Sequence, residues 1–142
     1  MWHPFKSYEF TLTDFGVSQN YNRVLLDASR DLFAGTLLYI SPEYFCCEVS
    51  DHSDLERAEI FSYGMTLAHY ATIGDPFNDN NTIFPDTQKE ISAFYRKDKH
   101  RAFFQISMRK IPKGSKELIM ACLDPNPHNR PQSFGKIVTS LS

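Results

Sequence analysis

Along the first part of the chain Tyr8, Phe10 and Leu12 alternate with Glu9, Thr11 and Thr13. That period of two belongs to a strand with one buried face. Asp14-Phe15-Gly16 ends it, and from Val17 to Ala34 polar and apolar residues mix without a sustained period. Such a stretch predicts a long loop, and loops of that length in compact domains carry function. Between Ile60 and Ile73 nearly every position is apolar or small, with no polar face. This predicts a helix buried all round at the centre of the domain, stopped by Gly74-Asp75-Pro76, with a loop over Asn78 to Asn81. Thr87-Gln88-Lys89-Glu90 has the form of a capping box, and Ile91, Phe94 and Tyr95 follow at helical spacing, so a helix is expected over about Gln88–Lys97. A further helix starting near Ser115 turns Leu118, Ile119, Cys122 and Leu123 inward and ends before Asp124-Pro125-Asn126-Pro127. Phe134, Ile137, Val138 and Leu141 stand at i, i+3, i+4 and i+7 and give the last helix. The expected fold is mainly α, with one short N-terminal strand.

Composition narrows the classes of function. At 142 residues the chain fits one domain with its own core. Its net charge of -2 lacks the positive excess that nucleic acid or anionic lipid would select, so neither is an expected partner. A hydrophobic content of 42%, a third of it aromatic, is that of a packed globule. Three cysteines, two of them the adjacent Cys46 and Cys47, do not form a disulfide framework and fit a reducing compartment. The N-terminus has no basic region followed by an apolar run, and the charge-free stretch from Ile60 to Gly74 is too short to cross a bilayer. A cytoplasmic location is expected.

Asp14-Phe15-Gly16 by itself is an ordinary exit from a strand. Together with Gly35-Thr36-x-x-Tyr39-x-Ser41-Pro42-Glu43, which closes a segment of 30 residues opened at Asp14, it resembles the protein kinase family. The resemblance runs from about Tyr8 to the end. Ile60-Phe61-Ser62-Tyr63-Gly64 is similar to the start of the central helix of the kinase C-lobe, and Gly74-Asp75-Pro76-Phe77 to the turn after it. Cys122-Leu123-Asp124-Pro125 with Arg130-Pro131 is similar to the final subdomain. The style of Phe61-Ser62-Tyr63-Gly64 and of Arg130-Pro131…Phe134 resembles the tyrosine-kinase-like group of serine/threonine kinases, and Thr36 after Gly35 favours serine/threonine specificity. Two departures stand out. Glu59 occupies the position where the family's central helix opens with Asp, and the turn after that helix is one residue short.

The resemblance implies a fold and a set of roles. The fold is a kinase-like C-lobe, part of an α+β domain, with a long activation segment. Asp14 would be a ligand of the Mg²⁺ that bridges the phosphates of ATP, with Phe15 and Gly16 beside it on the nucleotide side. Gly35, Thr36 and Tyr39 would face a protein substrate. Glu43 and Arg130 would form a buried structural ion pair, and Ser18, Tyr21 and Ser29 are candidate phosphorylation sites in the long loop.

Other kinase groups are not in this sequence. The six glycines stand at 16, 35, 64, 74, 114 and 135, so no Gly-x-Gly occurs, and the thirteen residues before Asp14 contain neither His-Arg-Asp nor Asn. The expectation is therefore a partial kinase domain over residues 1–142, with N-lobe and catalytic loop absent and no catalytic residue of its own. Alone, it is expected neither to transfer phosphate nor to bind ATP and Mg²⁺. The alternatives are a kinase-like interaction module, offering Thr36 to Tyr44 and the helix near Ile91 to a partner protein, or a fragment without function. Cys46, Cys47 and His52 are close in sequence but lack the spacing of a metal site. The basic run Arg96 to Arg101 reads as a solvated loop or helix end.

Overall fold

The computed structural model describes residues 11, 37–46, 48–72, 85, 87–108 and 111–141. Its helices are α1 (Pro42–Phe45), α2 (His52–Ala71), α3 (Gln88–Arg96), α4 (Lys99–Ser107), α5 (Lys113–Cys122) and α6 (Phe134–Leu141), with 3-10 turns at Leu37–Tyr39 and Pro127–Asn129. Among the described residues there is no strand, only an isolated antiparallel bridge from Thr72 to Met108. The mainly helical class stands. The expected strand apart from Thr11, the Asp14–Gly16 turn, the long loop and residues 74–81 lie outside the described residues.

Helix α2 is the axle, and it begins two turns before the apolar run that announced it. Asp51 caps it, its Oδ1 accepting the Asp54 amide at 2.8 Å. The Asp54 carboxylate turns back to the Ser50 amide at 3.0 Å and the Ser50 hydroxyl at 2.7 Å. The Ser50 hydroxyl chiefly, then the Ser50 amide and the Arg57 guanidinium, hold the Asp54 carboxyl down at about 2 despite partial desolvation. A capped polar entry thus extends the helix from His52 through Glu59 where hydrophobic patterning alone stops short. Nor is the helix buried all round: Glu59, Thr66 and Tyr70 reach solvent, while Ile60, Phe61, Met65 and Ala68 are wholly covered.

Phe61, Met65 and Ala68 meet Phe45, Ile91, Tyr95, Phe104, Ile119 and Leu123 in the main core, and Ile60, Cys122 and Ile137 form a smaller cluster that seats α6. The closest approach is between α2 and α5. A Cβ on Gly64 would stand 2.7 Å from Cys122 Cβ, so only glycine lets the helices come this near. Burial pushes the Cys122 thiol up to about 11, which makes it a packing group rather than a nucleophile.

Helix α3 starts where the capping box places it. The Glu90 amide donates to Thr87 Oγ1 at 3.4 Å and the Thr87 hydroxyl donates to the Glu90 carboxylate at 2.7 Å. It ends one residue before the expected Lys97. Asp98 then adopts a left-handed conformation, φ 55°, and the chain re-enters a helix at once. The basic run, expected at a solvated loop or helix end, spans the end of α3 and the start of α4, where Arg96, Lys97 and Lys99 are exposed but His100 is buried and Arg101 half-buried. Helix α5 opens at Lys113, two residues earlier than Ser115, and α6 opens with the Phe134 amide donating to Glu56 Oε1 of α2 at 2.9 Å. No helix among the described residues is long and apolar enough to cross a membrane.

Candidate functional site

Residues 37–46 lie across α2 and α3, and the geometry starts at Pro42. Proline at the first position of α1 suits a helix entry, where its missing N–H costs nothing. One step later Glu43 turns inward. Its Oε1 accepts from Arg130 Nη1 at 2.6 Å and its Oε2 from Nη2 at 3.0 Å, a two-point pairing of fork to carboxylate. Arg130 leaves the turn after α5, where Asp124 Oδ1 accepts the Asn126 amide at 2.9 Å and Asn126 Oδ1 accepts the His128 amide at 3.0 Å. Its Nε donates to the Asp124 carbonyl at 2.7 Å and Nη1 also donates to the Arg57 carbonyl at 2.9 Å. The guanidinium lies 4.8 Å from the centroid of the Phe61 ring. Glu43 is 4% and Arg130 2% exposed. A charge so deep is tolerated only because it is both paired and hydrogen-bonded.

The 3-10 turn before α1 is held differently. Ser62 Oγ of α2 donates to the Tyr39 carbonyl at 2.7 Å, and the Tyr95 hydroxyl of α3 donates to the Leu38 carbonyl. The Tyr39 hydroxyl is hydrogen-bonded to His69 Nδ1. Burial pushes the Tyr95 hydroxyl well above the usual phenol range, so it remains a donor.

Two further residues of α4 secure this frame. His100 Nε2 donates to the Leu123 carbonyl at 2.7 Å, and its ring packs against Phe61, Phe94 and Tyr95. Its Nδ1 is buried without a hydrogen-bond partner among the described residues, and burial lowers the imidazole to about 4. Arg101 grips Asp98 at 2.6 and 2.5 Å and reaches Asp124 Oδ2 at 3.0 Å. It thereby ties the left-handed corner to the turn that carries Arg130. The hydrogen bonds to Asp98 above all, with the nearby Asp124 charge, raise the Arg101 guanidinium further.

An open cleft of about 870 Å³ runs beside the ion pair, lined among others by Glu48, Asp51, Asp54, Arg57, Arg96 and His128. Its charges are already engaged. Glu48 accepts from Arg96 at 3.0 and 3.1 Å, and Asp54 from Ser50 and Arg57. Cys46 is exposed beside Ser92, Sγ to Oγ 3.8 Å, and His52 opens α2 at the surface. Among the described residues no three metal-ligating side chains come together.

Of the residues singled out in the sequence, the structure brings Glu43 and Arg130 together and places Tyr39 on the docked turn against Ser62 and His69. Asp14, Phe15, Gly16, Ser18, Tyr21, Ser29, Gly35, Thr36 and Cys47 lie outside the described residues. Sequence reasoning missed Ser62, His100 and Arg101 as structural polar groups, and it saw Tyr95 only as an apolar ring. His100, Phe103 and Phe104 at i, i+3 and i+4 carry a helical signal, which the neighbouring positive charges obscured.

Comparison with known proteins bears on the whole of this frame. The family model described as protein kinase domain matches residues 5–140. The chain is 31% identical over 137 residues to dual specificity protein kinase zakA of Dictyostelium discoideum, covering 95% of this chain and 16% of that protein. It is 30% identical over 128 residues to dual specificity protein kinase zak2 of the same organism, covering 90% of this chain and 18% of that protein. With serine/threonine-protein kinase A of Synechocystis it shares 29% identity over 131 residues, covering 92% of this chain and 23% of that protein. The chain thus spans less than a quarter of the length of these relatives. A match over nearly every residue, on a helical frame whose Ser-Pro-Glu carboxylate meets a distant arginine, places this chain in the protein kinase domain family.

Proposed function

We propose that this chain is the C-lobe part of a serine/threonine protein kinase domain, acting on a protein substrate within the larger activity of ATP-dependent phosphorylation, in the cytoplasm. The observation that carries the reading is the kinase-domain match over residues 5–140, joined to the docking of residues 37–45 through Glu43 and Arg130. In this reading Gly35, Thr36 and Tyr39 face the substrate, and Ser18, Tyr21 and Ser29 accept regulatory phosphate. Asp14, with Phe15 and Gly16, holds the Mg²⁺ of Mg-ATP once the rest of a kinase domain is supplied. Phosphoryl transfer depends on a phosphate-gripping Lys, a proton-accepting Asp and a Gly-rich cover acting as a unit. This sequence has no Gly-x-Gly and no His-Arg-Asp, so the chain alone transfers no phosphate.

A second reading is a kinase-like interaction module that binds a partner protein without phosphotransfer. The inactivity of the chain alone is tested by incubating it, purified, with Mg-ATP and Ser/Thr peptides. We expect incorporation at background and no shift of the thermal midpoint by Mg-ATP. Mg-dependent phosphorylation abolished by Asp14→Ala would overturn the inactivity and the absence of catalytic groups from this chain.

A further inference from the structure

The turn at Leu37–Tyr39 is half-buried and is closed by a main-chain hydrogen bond from the Ile40 N–H to the Leu37 carbonyl at 3.2 Å. Its next two carbonyls are both taken by side-chain hydroxyls from outside the segment. Leu38 accepts from Tyr95 of α3, and Tyr39 accepts from Ser62 of α2. Neither donor is free to wander. The Tyr95 ring is fully buried among Phe61, Phe94 and His100, so its hydroxyl is fixed to the core. Ser62 is rooted in the central helix, and its fallback acceptor, the Ala58 carbonyl, is distant at 3.4 Å. Two successive carbonyls are therefore placed by two different helices. The path of the chain immediately after Gly35 and Thr36 is set by the distance between those helices.

We propose that Tyr95 and Ser62 are positioning residues for this segment: their hydroxyls clamp the Leu38 and Tyr39 carbonyls and so fix the face that Tyr39 presents to a protein substrate. This rests on the reading above that Tyr39 meets the substrate. Neither hydroxyl touches reacting atoms, and both act through the main chain of the segment.

The test is amide hydrogen exchange on the full chain, comparing it with Tyr95→Phe, Ser62→Ala and Ser62→Thr. Losing one hydroxyl bond removes the equivalent of about a three- to tenfold bias toward the closed segment. We expect exchange across residues 38–45 to accelerate by about that factor in Tyr95→Phe and Ser62→Ala. The amides of α5 should stay unchanged, and Ser62→Thr, which keeps the hydroxyl, should restore protection. Unchanged exchange at 38–45, acceleration spread evenly over the helices, or a Ser62→Thr that behaves like Ser62→Ala would each overturn the clamp. The measurement needs neither ATP nor substrate, so its failure is distinct from failure of the kinase reading, which is tested by whether a complete kinase domain containing this chain phosphorylates Ser/Thr peptides.

Discussion

Arg130 and His100 are both buried against Phe61 and both bond to carbonyls of the same turn, Asp124 for the arginine and Leu123 for the histidine. They differ in how completely they are satisfied. Arg130 makes four hydrogen bonds, two of them to a carboxylate, whereas one imidazole nitrogen of His100 has no partner among the described residues. The full charge sits as comfortably in the core as the neutral ring, because solvation lost on burial is replaced bond for bond. What matters is therefore which protonation state the surroundings were built for. Arg130 is built to be charged. His100 is built to stay neutral: burial above all opposes a proton on it, with Arg101 and Arg130 adding to that, against the Leu123 carbonyl and Asp98, which favour the proton.

The sharpest break of this contrast removes one partner of the satisfied group. In Arg130→Met the Glu43 carboxylate loses both hydrogen bonds from the guanidinium, and the carbonyls of Asp124 and Arg57 each lose one. Breaking a buried pair in this way costs about 3–5 kcal/mol, a large share of the ~5–15 kcal/mol that holds a domain together. Urea unfolding should show the unfolding free energy falling by that amount, with Glu43→Gln less severe because an amide still accepts. A loss under ~1 kcal/mol in Arg130→Met would mean that the pair is solvated after all.

The half-satisfied group should reveal itself through pH. His100 falls from its ordinary 6.5 to about 4 in the folded chain, so the unfolded chain binds the extra proton between those values. Stability is then complete above pH 6.5 and is lost progressively as the pH falls toward 4, by on the order of 3 kcal/mol if the shift is realised in full. Asp54, held at about 2, contributes its own loss only below pH 4, outside this window. His100→Gln, which can still donate to the Leu123 carbonyl, should flatten the curve between pH 6.5 and 4.5. An equally steep curve in that variant would assign the titration elsewhere.

These polar groups show where the sequence was legible and where it was not. Helix α3 was readable because its cap and its apolar face lie within ten residues, and α6 because four apolar positions keep one spacing. Glu43 and Arg130, 87 positions apart, could be linked only through a resemblance to known kinases, since no local pattern joins them. The entry of α2 was missed because hydrophobic periodicity says nothing about a polar first turn stabilised by Asp51 and Ser50. His100 and Arg101 were hidden for a related reason. A run of charges looks solvated until a left-handed residue, Asp98, swings half of it inward, and that corner is fixed by contacts with the distant Asp124.

Ser41 extends the comparison to a third buried polar group, one with no bond from its side chain. It is 1% exposed, and its hydroxyl finds no partner among the described residues. It stands at the cap position of α1, where a serine oxygen would ordinarily accept an amide, but that bond is not made. Pro42 occupies the first helical position and has no N–H, and the Tyr44 amide goes to the Ser41 carbonyl at 3.1 Å instead. Where removing Arg130 or its partner strips bonds from others, removing this hydroxyl strips none, and the desolvation it suffers disappears with it. Ser41→Ala should therefore stabilise the chain by about 1 kcal/mol, raising the melting midpoint by ~3 °C. The Glu43 pair would be untouched, because the backbone of α1 does not depend on the side chain. A fall in the midpoint would show that the hydroxyl has a partner and that burial without bonding is not tolerated even at this small scale.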